Sequence, residues 1–363
     1  MKTIFIDWAV RFGCPPRFLD YALIKQYFQA NTCQLVDDPK DAELIIAVTC
    51  AFEKESEDFS IEKIKSLIKV KKDNARLIIT GCLPKINGKR LRKIFRGTTF
   101  GPGSLDRLNG ILKTKAKVCD TNIITEKAKD KNEPFLLEVC RGCLGRCTYC
   151  GIRHSIGETR SRPIEKIVEQ FRLGQGQGYK IFLLVGDDVG CYGKDIGSDL
   201  AVLIGQLAKY RKESSIGLDT ISPDRLIAIL PRIKPYLKKR FINFAYLPVQ
   251  SGSDRILKLM DRGYSAGQFR DSILQLIRCN PEIEIKTDFM VGFPGETEND
   301  FKASLNLLMD FCRNVRIVNV YLFDKKEGTR AADFTSQIPG RIKEERKNRM
   351  RSLAEFLQSR PQG

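Results

Sequence analysis

The stretch CRGCLGRCTYC, from Cys140 to Cys150, places four cysteines within eleven residues of a chain that has 12 cysteines and a single histidine, His154. Four thiolates could close a tetrahedral zinc site, but paired C-x2-C knuckles normally lie on separate turns, and here only three residues lie between the pairs. A ferredoxin-type run uses other spacings and fills every iron with a cysteine. The third grouping takes Cys143, Cys147 and Cys150 as C-x3-C-x2-C, with Tyr149 before the last thiol and Cys140 left over. Three further cysteines follow short apolar runs. Cys50 and Cys82 end AELIIAVTC and RLIITGC, and Cys14 lies in the loop after TIFID.

These thiols need elements to position them. TIFID, AELIIAVTC and RLIITGC alternate with stretches of helical spacing such as DYALIKQYFQ and IEKIKSLIKV, the rhythm of a small parallel α/β sheet. Ligands gather beyond the carboxyl ends of parallel strands, so Cys14, Cys50 and Cys82 are expected to meet at one sheet edge. Composition turns polar and charged around residues 119–134, which places a domain boundary there. Beyond it come six strand candidates: FLLEVC, KIFLLVGDD, SIGLDTIS, FINFAYLPVQ, EIKTDFMVGFPG and VRIVNVYLFD. With the helical stretches between them they predict a partial (β/α)6 TIM-like barrel, its site at the C-terminal strand ends. Gly186, Asp187, Asp219, Ser222, Gln250 and Gly292 fall at those ends. The expected organisation is an α/β chain with a small sheet domain over 1–128, a barrel over 129–335 and a basic helix or tail over 336–363.

The formal net charge is +18, which suits a polyanionic partner, although runs such as KINGKRLRKIF and RIKEERKNRMR equally suit solvated helix faces. No apolar stretch approaches membrane-spanning length and no signal cleavage site follows the N-terminus, so a cytoplasmic protein without membrane association is expected. Clustered cysteines in such a chain favour metal or redox use over a disulfide framework.

The C-x3-C-x2-C motif after a first barrel strand resembles the signature of radical S-adenosylmethionine (SAM) enzymes. Together with LPVQSGSDRILKLMDRGY, KTDFMVGFPGETENDF, EGTRAA and the upstream cysteines, it is similar to the methylthiotransferase family, over about residues 3 to 355. The resemblance implies SAM and two [4Fe-4S] clusters. One, on Cys143, Cys147 and Cys150, would bind SAM at an open iron and yield a 5′-deoxyadenosyl radical. The other, on Cys14, Cys50 and Cys82, would carry the sulfur to be inserted, so that C–H becomes C–S–CH3. An electron donor such as flavodoxin or ferredoxin is implied.

By the same resemblance Gly186, Asp187, Ser222, Gln250, Gly292 and Glu296 are expected at the SAM pocket, Asp288 as a buried strand-end carboxylate, and Arg162 in a surface ion pair. No catalytic acid or base is assigned. Cys33, Cys119, Cys191, Cys279 and Cys312 are expected as core or loop residues without motif partners, and His154 at the surface. The chain departs from the family at Arg17, Val48 and Tyr246, where Asn, Asn and His are usual. Some of these positions are expected to look into the cavity between the clusters, so an unusual substrate, or unusual hydrogen bonding to it, is expected. It also stops at Gly363, where members of the family continue into a small RNA-binding barrel. Without that domain a protein or ribosomally made peptide is a contending substrate, while the positive charge leans toward RNA or an acidic peptide leader, so tRNA is expected, slightly favoured.

Overall fold

A computed structural model describes residues 2–111, 116–118, 133–311 and 315–359. The chain forms two compact units, the first including the segment Gly151–Gly157. The expected boundary near residue 128, with Cys119 and Cys312, lies outside the described residues.

The first unit is a parallel sheet in the order β2-β1-β3-β4-β5. Its strands are β1 (Thr3–Ala9), β2 (Gln34–Leu35), β3 (Leu44–Thr49), β4 (Arg76–Gly81) and β5 (Thr98–Thr99), and its helices are α1 (Pro15–Ala30), α2 (Lys54–Val70), α3 (Leu83–Ile86), α4 (Gly88–Arg92) and α5 (Ile152–Ile156). Every residue of β3 is buried, as befits a central parallel strand covered on both faces. Ile46 and Val48 point into one apolar cluster with Tyr27, Phe28 and Cys50, whereas Ile45 and Ala47 join another with Ile64, Leu67 and Cys82. The register aligns Ala9 with Thr49 and Thr49 with Gly81, so the three central strands end level.

The second unit carries six parallel strands in the order β13-β12-β11-β10-β9-β6. They are β6 (Pro134–Glu138), β9 (Ile181–Val185), β10 (Ser215–Leu218), β11 (Ile242–Tyr246), β12 (Glu284–Val291) and β13 (Ile317–Leu322), one for each of the six segments expected. A two-residue hairpin of β7 (Cys140–Arg141) and β8 (Arg160–Ser161) follows β6, so Cys140 stands beyond the first barrel strand rather than at its end. Helices α6 (Ile164–Gly176), α7 (Leu200–Ala208), α8 (Pro223–Lys238), α9 (Asp254–Leu259), α10 (Ala266–Cys279), α11 (Glu298–Phe311) and α12 (Gly340–Gln358) complete it.

The strand period of two divides each barrel strand between two environments. In β12, Ile285, Thr287, Phe289 and Val291 are buried, the three apolar ones within the main core, while the alternate residues Lys286, Asp288 and Met290 project from the opposite face. The basic C-terminal segment is α12, whose Arg346, Met350 and Ala354 recur every four residues and are buried. Met350 and Ala354 belong to the barrel core. No described helix is long and apolar enough to cross a membrane.

Candidate functional site

Cys143, Cys147 and Cys150 lie in the irregular loop after β7, each partly buried. Gly142 enters the loop at φ +84°, where a Cβ would stand 2.1 Å from the Glu158 carbonyl oxygen, and its amide donates to Asp187 Oδ2 at 2.8 Å. The Gly145 amide donates to Cys143 Sγ at 3.2 Å. A Cβ on Gly145 would lie 3.2 Å from Cys143 Sγ and 3.8 Å from Cys147 Sγ, so the missing side chain leaves room at both sulfurs. Between the second and third thiols, Thr148 fastens the loop to the end of α9, its amide donating to the Met260 carbonyl at 3.0 Å and its hydroxyl to Leu259 at 2.9 Å. The EGTRAA segment closes over it: Ala331 N–H donates to the Thr148 carbonyl at 2.9 Å, and Arg330 bonds the Arg146 carbonyl and Asp261.

Cys140 is separated from this loop chemically. It is 1% exposed and packed in the barrel core, its thiol 3.6 Å from the Asp188 carbonyl. Burial pushes that thiol's pKa well above its ordinary value.

The residues expected at the SAM pocket have varied surroundings. Gly186 faces Cys140, whose Sγ would lie 2.9 Å from an added Cβ. Asp187 anchors Gly142 as described. Ser222 begins α8 and bonds Asp224, while its amide and that of Gly190 donate to Asp188 Oδ1 at 3.3 and 3.0 Å. Gln250 adopts φ +71°, unusual for a residue with a Cβ, and its backbone bonds Asp288 and Met290. Gly292 turns at φ +72° against Lys343. Glu296 is turned inward at 2% exposure, accepting from Gly292 N–H at 2.8 Å and from Arg346 at 2.7 Å, which braces the VGFPGE turn against α12. Asp288 is buried and held by the Tyr246 hydroxyl and by Asn319 at 2.8 Å. Desolvation raises its pKa despite these bonds.

In the first unit the level strand ends bring Cys50 and Cys82 to one edge, and Cys14 lies in the segment that joins β1 to α1. Cys50 and Cys82 directly follow the paired residues Thr49 and Gly81, and the Cys82 amide donates to the Thr49 carbonyl at 2.9 Å. Ser60 on α2 donates to the Ala9 carbonyl at 2.6 Å and accepts the Cys50 amide at 3.0 Å, tying the end of β1 to that of β3. Cys14 caps α1 and packs against the apolar cluster that contains Cys50.

Several expectations need correction. Among the described residues Arg162 makes no surface ion pair; it is partly buried and donates to the Glu138 carbonyl at 3.0 Å and to Gln170 at 2.8 Å. Of the three departures from the family pattern, Val48 is fully buried in the sheet core, Arg17, 2% exposed, pairs with Asp20 at 2.9 Å, and Tyr246 bonds Asp288; that some of them face a cavity remains an expectation. Cys191 is not a solitary core thiol: its Sγ accepts Leu144 N–H at 3.3 Å and lies within 4.8 Å of Cys143 Sγ and an Asp188 carboxylate oxygen. The closeness of the two sulfurs draws Cys143 below its ordinary pKa and drives Cys191 above its own. Asp188 is balanced by Arg225 at 2.7 Å. His154 is exposed on α5, as expected. Cys33 and Cys279 are partly buried. Arg262 is the other residue the motif reading passed over: its Nη1 donates to Cys147 Sγ at 3.3 Å.

The parallel barrel with a three-cysteine loop behind its first strand defines a radical SAM protein, and residues 137–308 match the Radical SAM superfamily model. Residues 8–101 match "Uncharacterized protein family UPF0004". A Pyrococcus horikoshii probable threonylcarbamoyladenosine tRNA methylthiotransferase is 30% identical over 95% of this chain and 82% of its own length. The Moorella thermoacetica ribosomal protein uS12 methylthiotransferase RimO is 32% identical over 94% and 82%. The chain belongs to the methylthiotransferase family of radical SAM enzymes. Among solved structures, the radical SAM methyltransferase TsrM from Kitasatospora setae superposes at a TM-score of 0.66 over 91% of this chain and 77% of its own, at 11% identity, a likeness of fold.

The family's cofactors are SAM and two [4Fe-4S] clusters, and this chain presents thiols in two separate sets of three, which suits clusters that each keep one iron open. The donor chemistry fits: sulfurs in the barrel loop already accept N–H groups from Gly145 and Arg262, and Phe52 N–H donates to Cys50 Sγ at 3.5 Å. When bound, these groups supply the electron for SAM cleavage and the sulfur for insertion. The chain's own residues set the loop that carries the thiols, through Gly142, Thr148 and Ala331, and seal the barrel floor beneath it with Cys140 and the apolar core.

Proposed function

We propose that this methylthiotransferase acts on tRNA, with Cys143, Cys147 and Cys150 holding the SAM-binding cluster and Cys14, Cys50 and Cys82 the sulfur-bearing one. The observation that supports the division of labour is the level ending of β1, β3 and β4 on a unit distinct from the barrel, with Cys50 and Cys82 directly after two of those ends and Cys14 in the segment after the third. The net charge of +18, a surplus that remains after every acidic residue has been counted against a basic one, supports a polyanionic substrate. The Pyrococcus relative is named for a tRNA substrate, as is the Ehrlichia canis tRNA-2-methylthio-N(6)-dimethylallyladenosine synthase, 28% identical over 97% of this chain and 83% of its own. Gly186, Asp187, Ser222 and Gln250 line the SAM pocket in this reading, a one-electron donor of the flavodoxin or ferredoxin class reduces the clusters, and the enzyme works in the cytoplasm.

A protein residue as substrate is the second reading, favoured by the 32% identity to the uS12 methylthiotransferase. Incubating reconstituted, reduced enzyme and SAM with bulk tRNA and, separately, with ribosomal proteins and short peptides decides between them. A nucleoside in which SCH3 replaces H supports the tRNA reading; the same replacement confined to a polypeptide overturns it.

A further inference from the structure

Arg262 is placed with unusual care. It follows the end of α9, where its amide donates to the Leu257 carbonyl at 2.9 Å and the preceding Asp261 adopts φ +59°. That left-handed turn is costly for a residue with a Cβ, and it is held by Arg330, which pairs with Asp261 at 2.5 Å. The turn directs the guanidinium under the cysteine loop. There Nε donates to the Tyr264 hydroxyl at 3.1 Å, Nη2 to the Pro248 carbonyl at 3.2 Å, and Nη1 to Cys147 Sγ at 3.3 Å and the Tyr149 hydroxyl at 3.5 Å. The cation also lies 5.1 Å from the centre of the Tyr264 ring.

None of these partners is a carboxylate, and among the described residues Arg262 forms no ion pair. Asp188, the nearby acid, is occupied by Arg225 at 2.7 Å. An enclosed guanidinium surrounded by phenols and a carbonyl keeps its charge uncompensated, a costly arrangement unless an anion is supplied. Of these contacts, the Cys147 sulfur, 3.3 Å from Nη1, is the atom that a bound cluster would make anionic.

We propose that Arg262 is a positioning residue for the cluster on Cys143, Cys147 and Cys150, holding the Cys147 thiolate by a charge-assisted N–H···S bond and thereby easing the cluster's one-electron reduction. The inference rests on the assignment of those three cysteines made above. Uptake of an electron from a one-electron donor breaks no bond and adds one negative charge to the cluster. A fixed positive charge and a fixed donor at a ligand sulfur stabilise the more negative state more than the less negative one, so they raise the reduction potential. The three neutral partners hold the fork so that reduction requires no rearrangement of it.

The test is an EPR-monitored redox titration of the anaerobically reconstituted full chain, repeated with Cys14, Cys50 and Cys82 replaced by alanine so that one cluster is read alone. Arg262→Gln removes the charge, and the reduction equilibrium constant is expected to fall at least tenfold, which for one electron is 59 mV. Arg262→Lys keeps a charge without the fork and is expected to fall about threefold. Iron per chain gives the occupancy in each case. A Gln variant with full iron and an unmoved potential overturns the proposal; should Gln fail to hold iron, a Lys variant with the parent's potential overturns it. Cys147→Ala must lose this cluster's signal. If the signal persists there, the cysteine assignment itself fails, which the Arg262 variants alone would not reveal.

Discussion

The Cys82 amide donates to the Thr49 carbonyl at 2.9 Å, and this bond sets Cys82 beside Cys50 at the edge of the first sheet. It is possible only because Gly81 has no side chain. Gly81 sits at φ +94°, and a Cβ there would stand 2.2 Å from the Thr49 carbonyl oxygen and 2.6 Å from its nitrogen. Both neighbouring atoms are backbone, so relief requires parting β3 from β4. Gly81→Ala is therefore expected to lower stability by ~2–5 kcal/mol and to shed the iron held by Cys14, Cys50 and Cys82. Iron analysis and a thermal melt check this; a variant with full iron would show that the strand ends tolerate separation.

The two thiol sets make a second prediction. The Cys14/Cys50/Cys82→Ala chain is expected to lose about half its iron and all sulfur insertion while still cleaving SAM, because Thr148, Ala331 and Gly142 brace the barrel loop through bonds that those substitutions leave in place. Assaying 5′-deoxyadenosine and methylthio product on one preparation separates the activities. Unchanged iron content would end the assignment.

Within CRGCLGRCTYC the structure separates one cysteine from three. Cys140 lies in the core with its thiol toward the Asp188 carbonyl, whereas Cys143 and Cys147 flank the open side of Gly145. Cys140→Ala is expected to cost about 1 kcal/mol of packing and keep SAM cleavage. Cys143→Ala is expected to abolish it. Loss of cleavage in both variants would point to a four-thiolate centre.

Strands and thiols were legible for a shared reason. Parallel strands covered by helices read as short apolar runs, and Cys50 and Cys82 stand directly after two of them, so strand placement carried thiol placement with it. The two-residue strands β2, β5, β7 and β8 have no period of their own and went unseen. Cys191 and Arg262 were missed because their partners are tertiary: 48 residues separate Cys191 from Cys143, and 115 separate Arg262 from Cys147. Arg262 lies within the run LPVQSGSDRILKLMDRGY, but an arginine after a short helix reads as a solvated end until the loop it meets is known. Arg162 was misplaced similarly, since its acceptors are a carbonyl and an amide rather than an acid.

Asp219, just past the end of β10, supplies a pH test. It is 5% exposed, one of its carboxylate oxygens lacks a hydrogen-bond partner among the described residues, and desolvation pushes its pKa up to about 6 against the help of the Thr220 amide and Lys286. The sign follows from proton counting. Between the unfolded value near 4 and the folded value of about 6, the folded chain binds the extra proton, so this group's contribution to stability falls as pH rises through that window and is level above it. Two pKa units correspond to at most about 3 kcal/mol. Asp219→Asn removes the titration, so its stability relative to the parent should rise by up to that amount between about pH 4 and pH 6.5. Paired urea unfolding of the iron-free chains measures the difference. A difference that stays flat across the window would mean that the carboxylate finds a partner or water in solution that satisfies it, and that its burial imposes no penalty on the ionised form.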